Sequence, residues 1–409
     1  MNIKLQLKSF VSLILLVSNT GMAEPIDTRA NTLNDALTPE ATQLQVQGSF
    51  WKVPELEDAF ISSAPEDRKD GHQVGTLHHH SQAKQAVLQF ANEIAQNKHG
   101  EYTSMLISFK DQLVFESYFL RGRVNLPHDQ ASAVKGYTSL LLGRAIQLGY
   151  LTMDDLHKPL INFLPKLKSA RLAQGAHNIT LHKALTMSGG LQISDEKSQE
   201  LAKSRNELSK KVLQRLQGQG FIQEILEHTK PITPASQIYR YGNYNPTLVM
   251  QVIEAVVPGS AADFIRKELL NKIGISDYRW ATAISGLPED GWRVSMTSRD
   301  MLKLANLVKN GGKWQGEQLI SPQYLATAMQ KQTRPIIDWM PDHYSYGYFW
   351  YQTDVKVKNK TYNANIAWGG GGQRLIVVKE LDLSIVITGY DREDTIFEQL
   401  AKHVIPAFI

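Results

Sequence analysis

Segments with strand character lie near both ends of this chain, and helical patterns fill its middle. Residues 104–109 and 113–119 are apolar or alternating runs about Lys110 and Asp111, typical of a β-hairpin. Five further runs near the C-terminus, separated by turn residues, indicate an antiparallel meander: 346–353, 355–362, 365–368, 373–379 and 383–388. A sheet built from both ends must be assembled from distant segments, with helices packed on it. The sequence therefore predicts an α+β fold with an antiparallel sheet flanked by helices.

The middle of the chain has helical patterns and short loops but no persuasive strand. We therefore expect an all-helical domain over 131–285, inserted into a discontinuous α/β sandwich domain of 85–130 and 286–409. The stretch 24–84 is polar and interrupted by prolines and glycines, which predicts a loosely structured lead-in. The predicted helices are 86–96, 156–164, 181–187, 204–228, 245–257, 261–273, 298–309 and 394–404.

The N-terminus has the order of a secretory signal. Lys4 and Lys8 precede an apolar run over 10–17, and small residues follow up to Ala23. This run is far shorter than the ~20 apolar residues that span a bilayer, and no later segment is long enough. We expect cleavage after Ala23 and an exported, periplasmic protein with no stable membrane anchor; an uncleaved N-terminal anchor is the alternative.

Charge and cysteine content exclude several classes of function. The net charge of +4 comes from 44 basic and 40 acidic residues without a basic block, which argues against nucleic-acid binding. The chain has no cysteine, so disulfides, thiolate catalysis and lipids on cysteine are excluded. The run His78, His79, His80, with His72 nearby, is poorly spaced for ligating one ion, and we interpret it as a solvated turn and expect no metal site.

A predicted helix over 132–149 carries the first candidate chemistry. It begins near Ser132, is apolar over 140–148 and ends at a glycine, so we expect it to be buried. Lys135 lies one turn after Ser132 on the same face. A serine hydroxyl is a weak nucleophile until a neighbour takes its proton, and a neutral lysine amine can do so. The alternative is a helix-capping serine beside a surface lysine.

The Ser-x-x-Lys spacing alone is weak evidence because the chain contains it four times, at Ser49, Ser81, Ser132 and Ser194. Only Ser132 opens a long apolar helix directly after a strand region. The other three lie in polar stretches.

Two further segments carry candidate chemistry. Tyr241 and Asn243 form the chain's single Tyr-x-Asn, just before a predicted helix. A tyrosine near a lysine can act as a base, and an asparagine amide can hold a substrate carbonyl; a turn with an asparagine helix cap is the alternative.

The segment Trp368-Gly369-Gly370-Gly371-Gly372 ends one predicted strand and precedes another. A free N–H in it can complete an oxyanion hole with the N–H of Ser132. A phosphate loop does not fit, because no Gly-Lys-Ser/Thr follows and the next segment is a strand. A plain glycine turn remains the alternative.

The three segments, in this order, resemble the serine β-lactamase-like superfamily: penicillin-binding proteins, class C β-lactamases, family VIII carboxylesterases and nylon-oligomer hydrolases. The resemblance covers about residue 85 to the C-terminus, and the flanking segments 132–149 and 180–191 support it. It implies an α/β sandwich with an all-helical domain and an active site in the cleft between them.

The resemblance also implies roles. Ser132 corresponds to the acylated nucleophile, Lys135 to its proton partner and Tyr241 to the general base and leaving-group acid. Asn243 matches the third position of the Tyr-x-Asn motif. Trp368, with Gly369 and Gly370, replaces the Lys-Thr-Gly or His-x-Gly of many relatives and looks like the esterase branch, and Gly371 would supply the second oxyanion N–H.

A tryptophan offers an apolar surface where lysine or histidine would attract a substrate carboxylate. Arg374 nearby either compensates or pairs structurally. We therefore expect a serine hydrolase of a small ester or amide that needs no cofactor. The alternatives are a β-lactamase or D,D-peptidase acting on wall-derived lactam or peptide substrates, and a binding module without turnover.

Overall fold

The computed structural model describes residues 37–77, 81–203, 205–338 and 340–409. The predicted signal segment 1–23 and the run His78, His79, His80 lie outside the described residues.

Within this described part, nine strands form the main sheet, in the order β1-β4-β3-β14-β13-β12-β11-β10, with β2 beside β4. The strands β14 and β3 pair antiparallel, with Ile385 opposite Ile107, so segments almost 280 residues apart in the chain are neighbours in the sheet. Three strands, β5, β7 and β6, form a second sheet, and β8 and β9 pair with each other. The strands are β1 Phe60–Ser62, β2 Gln73–Val74, β3 Tyr102–Phe109, β4 Gln112–Tyr118, β5 His128–Asp129, β6 Arg279–Trp280, β7 Val294–Met296, β8 Lys313–Trp314, β9 Glu317–Gln318, β10 Ser345–Tyr346, β11 Tyr351–Val357, β12 Lys360–Gly369, β13 Gln373–Val378 and β14 Leu383–Gly389.

Helices cover the sheet and fill the middle of the chain. Helix α10 packs against β3, β13 and β14, while α3 packs against α8, α11 and β12. The helices are α1 Gln43–Gln47, α2 Ser81–Ala95, α3 Val134–Gln147, α4 Leu181–Leu185, α5 Asp195–Ala202, α6 Lys210–Arg215, α7 Gln219–His228, α8 Tyr244–Val256, α9 Ala261–Phe264, α10 Ser298–Lys309, α11 Pro322–Ala328 and α12 Ile396–His403. The mixed helical and antiparallel architecture confirms the predicted α+β fold.

Several predicted elements coincide with the observed ones, and others differ for local reasons. The lead-in is more ordered than expected, because β1 pairs with β4 and β2 adds beside it. The predicted strand 355–362 is wrong: a turn at Lys358, whose φ is +54°, separates β11 from β12. The predicted helix 204–228 is interrupted around Gly218, whose φ is +52°.

The middle section also departs from the prediction. It contains one short strand, β6, which pairs with β7 through Trp280 and Val294, so the expectation of helices alone is wrong there. Residues 156–164 form two 3₁₀ turns, Met153–His157 and Leu160–Phe163, instead of one helix. The division into an all-helical and a sandwich domain stays a prediction.

In the described part of the chain, no single helix has the length and apolar composition needed to cross a membrane. One pair, Tyr244–Val256 with Ala261–Ile273, meets that criterion only when the two helices are taken together, and it is bent by 89°.

Candidate active site

Ser132 lies in a 3₁₀ turn, Ala131–Ala133, between strand β5 and helix α3. Gln130 holds this turn: its backbone N–H donates to Val294 O at 2.8 Å, and its side-chain oxygen accepts from the Tyr137 hydroxyl at 2.8 Å. Ala131 has a φ of +44°, a region that costs a non-glycine residue free energy. Ser132 therefore lies in a short, strained and well-anchored turn that joins strand β5 to helix α3.

Lys135 points back to Ser132 from the first turn of α3. Its Nζ lies 3.0 Å from Ser132 Oγ and donates to Gly291 O at 3.1 Å. The side chain is buried, with 1% of the residue exposed. A lysine in a surface pair would be solvated, so the alternative of a surface charge does not hold for Lys135.

Tyr241 and Asn243, at the start of α8, lie close to the Lys135 side chain. Lys135 Nζ lies 5.0 Å from the centroid of the Tyr241 ring, within cation–π range. A Cβ placed on Gly291 would lie 3.2 Å from Lys135 Nζ and 3.4 Å from Asn243 Oδ1, so the two side chains converge on Gly291. Asn243 makes no side-chain capping bond to α8. Asn243 thus occupies the N-cap position of α8, but capping does not hold its side-chain amide.

The glycine segment, residues 369–372, lies against the turn that carries Ser132. Strand β12 ends at Gly369, and a Cβ there would lie 2.2 Å from Gln130 O and 3.1 Å from Ala133 N, so a larger residue does not fit. Gly370 faces open space. Gly371 has a φ of +82°, and its carbonyl accepts from Asp391 N at 3.1 Å.

Helix α3 and strand β12 also approach each other closely beyond the turn. A Cβ on Gly136 would lie 3.1 Å from the Ala367 Cβ and 3.2 Å from the Trp350 indole. This close contact fixes the distance between the helix of Lys135 and the strand of Trp368.

A family model described as Beta-lactamase matches residues 104–394. The chain belongs to the beta-lactamase family. No match was found among curated proteins.

Solved structures share the fold of this beta-lactamase family member. One is EstCE1, described as a hydrolase with promiscuous acyltransferase activity, with a TM-score of 0.61 and 13% identity over 81% of this chain and 99% of that chain. A class C beta-lactamase has a TM-score of 0.58 and 14% identity over 82% and 98% of the two chains. A protein from Bacillus anthracis, provisionally assigned as a 6-aminohexanoate-dimer hydrolase, has a TM-score of 0.58 and 17% identity over 76% and 79%. At these identities, the likeness shows the fold alone.

The other three Ser-x-x-Lys segments lie in different structural contexts from the one at Ser132. Ser194 caps α5 by accepting from the N–H of Lys197, whose Nζ is 2.7 Å from a Glu224 carboxylate oxygen. Ser49 precedes a 3₁₀ turn, Phe50–Lys52, and Ser81 begins α2. The expectation that Ser81 lies in a polar stretch is wrong, because the 15-residue helix α2 that begins there buries Val87, Phe90 and Ile94.

Asp290 is a buried carboxyl beside the site that sequence reasoning missed. Thr247 Oγ1 donates to its Oδ1 at 3.3 Å, and Thr138 Oγ1 donates to its carbonyl at 2.8 Å. Burial raises the pKa of Asp290 to about 7, although Thr247 and the charge of Lys135 act in the opposite direction. Asp290 thus brings a titratable group next to the Lys135 pair, and no local motif marks it.

A cavity of about 800 Å³ adjoins the site on the helical side. Asn243 and Asp290 line it together with the apolar side chains of Leu201, Phe221, Ile284 and Trp292. Its volume falls within the range of ordinary small-molecule sites.

The structure tests the histidine prediction only at His72. His72 is not in a solvated turn, because it is buried and its Nε2 lies 2.9 Å from Arg299 O. Within the described residues, no group of three or more histidine, cysteine or acidic side chains is placed to hold a metal ion.

Proposed function

We propose that this chain is a serine hydrolase that cleaves a small ester or amide through an acyl-enzyme on Ser132. The observation that carries the proposal is the 3.0 Å contact between Ser132 Oγ and the Nζ of the buried Lys135. The family and the hydrolases that share its fold support the same class of reaction.

Acylation would proceed at the Ser132 turn. Lys135 takes the Oγ proton as Oγ attacks the substrate carbonyl carbon, and the carbonyl oxygen becomes an oxyanion. The N–H groups of Ser132 and Gly371 would stabilise that oxyanion. Tyr241 gives a proton to the departing alcohol or amine as the scissile bond breaks, and Asn243 orients the substrate.

Deacylation would use the same groups in the reverse direction. Tyr241 takes a proton from water, and the resulting hydroxide attacks the acyl carbon. The bond to Ser132 Oγ then breaks, Oγ regains its proton through Lys135, and the acid leaves. No step in this sequence draws on a metal or organic cofactor.

Trp368 favours small esters and amides over β-lactams in this proposal. β-Lactams and D-Ala-D-Ala peptides carry a carboxylate, which a cation at this position would attract and an indole would not. A β-lactamase or D,D-peptidase is the second candidate, supported by the fold shared with a class C beta-lactamase. We further propose export to the periplasm, based on the order of residues in 1–23.

Labelling with a fluorophosphonate, followed by peptide mass mapping, tests the nucleophile. We expect an adduct on Ser132, lost in Ser132→Ala and retained in the matched Ser194→Ala. An adduct elsewhere, or none, would contradict the catalytic proposal and favour a binding module.

Comparing a short-chain nitrophenyl ester with nitrocefin tests the substrate class. We expect ester turnover to exceed nitrocefin turnover. Faster turnover of nitrocefin than of the ester would favour the β-lactamase hypothesis.

A further inference from the structure

Arg374 lies fully buried against Trp368. The two residues face each other across β12 and β13, and the Arg374 Cζ is 3.7 Å from the centroid of the Trp368 ring. The Arg374 side chain has 0% exposure, and its Nη1 donates to Gly369 O and Gln373 O, each at 2.8 Å. A guanidinium stacked in this way supports the indole and does not reach a bound substrate.

Asp394 ties the arginine and the tryptophan together. Its Oδ2 lies 2.6 Å from Arg374 Nη2 and accepts from Trp368 Nε1 at 3.2 Å. One carboxylate oxygen thus fixes both the position of the guanidinium and the rotation of the indole. The rings of Tyr344 and Tyr351, at 5.5 and 5.6 Å, pack edge-on against the same indole.

The charge of Arg374 is therefore compensated inside the protein. Two more carboxylates border this cluster: Asp391 accepts from Asp394 N at 2.6 Å, and Glu398 accepts from the Tyr344 hydroxyl at 3.0 Å. A substrate carboxylate placed on the indole would add an anion beside these acidic groups, and the buried Arg374, already paired with Asp394, is not available to it. Such an anion is costly in a partly desolvated site.

We propose that Arg374 and Asp394 are positioning residues that hold the Trp368 indole as an uncharged wall of the substrate site, and that the enzyme selects esters or amides whose group at this wall has no carboxylate. The inference rests on the proposed function and adds a substrate class to it. The indole borders the segment that carries Tyr241, because Trp368 packs against Tyr351, whose hydroxyl lies 3.3 Å from that of Tyr239, two residues before Tyr241.

Three nitrophenyl esters of similar size test the selectivity: the neutral butyrate, the hemisuccinate with a carboxylate on the acyl side, and 3-carboxy-4-nitrophenyl butyrate with one on the leaving group. We expect wild-type kcat/KM to favour the neutral ester over at least one charged ester by about tenfold or more, as one uncompensated charge in a medium of intermediate dielectric implies. Equal kcat/KM for all three would overturn the inference.

Two variants separate charge from packing. Asp394→Asn leaves the charge of Arg374 unbalanced, and we expect the preference for the neutral ester to fall by about tenfold. Arg374→Lys keeps the charge but loses the planar stack, and we expect it to keep the preference while KM for the neutral ester rises severalfold and kcat changes little.

Adding Arg374→Met to Asp394→Asn removes both charges, and we expect the wild-type preference to return. A merely structural role would lower the amount of active enzyme without moving the ratio between esters. If Asp394→Asn does not fold, Arg374→Met alone serves, because losing the cation should strengthen the preference for the neutral ester. If the ratio of kcat/KM between the esters is unchanged in a variant that still labels at Ser132, the inference is wrong but the proposed function stands. If both labelling and ester turnover are absent, the proposed function is wrong.

Discussion

The Nζ of Lys135 contacts Ser132 Oγ at 3.0 Å from a buried position one helical turn away. Its other hydrogen-bond partner, the carbonyl of Gly291, lies 156 residues further along the chain. The helix supplies the proximity of the pair, whereas the distant loop fixes the rotamer of the lysine. The proposed proton transfer therefore depends on local and long-range structure together.

Replacing Lys135 by methionine keeps an unbranched apolar side chain in the buried position but removes the amine. We expect kcat for a nitrophenyl ester to fall about 10²- to 10⁴-fold, the usual effect of losing a general base. The control is Ser194→Ala in a second Ser-x-x-Lys segment, which should cost about 1 kcal/mol of stability through its lost cap and leave kcat unchanged. Normal turnover in Lys135→Met would contradict the assignment.

Tyr241→Phe removes the hydroxyl of a ring whose centroid lies 5.0 Å from Lys135 Nζ and keeps the aromatic ring. We expect kcat to fall about 10²- to 10⁴-fold. Tyr239→Phe is a matched control two residues away: the Tyr239 hydroxyl lies 3.3 Å from the Tyr351 hydroxyl, so its loss should affect stability more than turnover. Similar kcat values for the two variants would argue against a proton-transfer role for Tyr241.

The sequence predicted those parts of the site whose residues lie close together in the chain, within a single helix or turn. Ser132 and Lys135 belong to one turn and helix, and the boundaries of α10 agree with the predicted helix 298–309. The separation of β11 from β12 at Lys358 was not predictable, because the alternating pattern runs through a turn that has no glycine or proline.

Asp290 and Gly291 could not be predicted because they reach the site only through tertiary packing. Gly291 acts through its backbone carbonyl, which no side-chain pattern reports. The pairing of Arg374 with Asp394 likewise depends on the path of the chain after β14. The order of the motifs was enough to identify the family. The residues that hold the motif side chains in place could be identified only from the structure.

Gly369→Ala tests the contact between the glycine segment and the nucleophile turn. The new Cβ would lie 2.2 Å from Gln130 O, so either the turn or β12 must move, and we expect a loss of about 1–3 kcal/mol of stability. Gly370→Ala is the control, because its Cβ would meet no atom within 4 Å. Urea unfolding of both variants measures the difference, and equal stabilities would show that the turn adapts without cost.

The buried carboxyl of Asp290 predicts a pH dependence of stability. Its pKa is raised to about 7 by burial, so between about 4 and 7 the folded chain binds more protons at this residue than the unfolded chain. The contribution of Asp290 to the free energy of unfolding therefore falls as the pH rises through this range, by on the order of 2–4 kcal/mol, and is constant above it.

His128 acts in the opposite direction over nearly the same range. Burial lowers its pKa to about 4, so its contribution to stability falls as the pH drops from about 6.5 to 4. The wild-type curve therefore contains two opposing slopes, and only the difference from Asp290→Asn isolates the carboxyl. We expect urea unfolding at pH 5 and pH 8 to show the asparagine variant gaining stability relative to wild type at the higher pH. A difference that stays the same at both pH values would mean that Asp290 ionises normally in the folded protein.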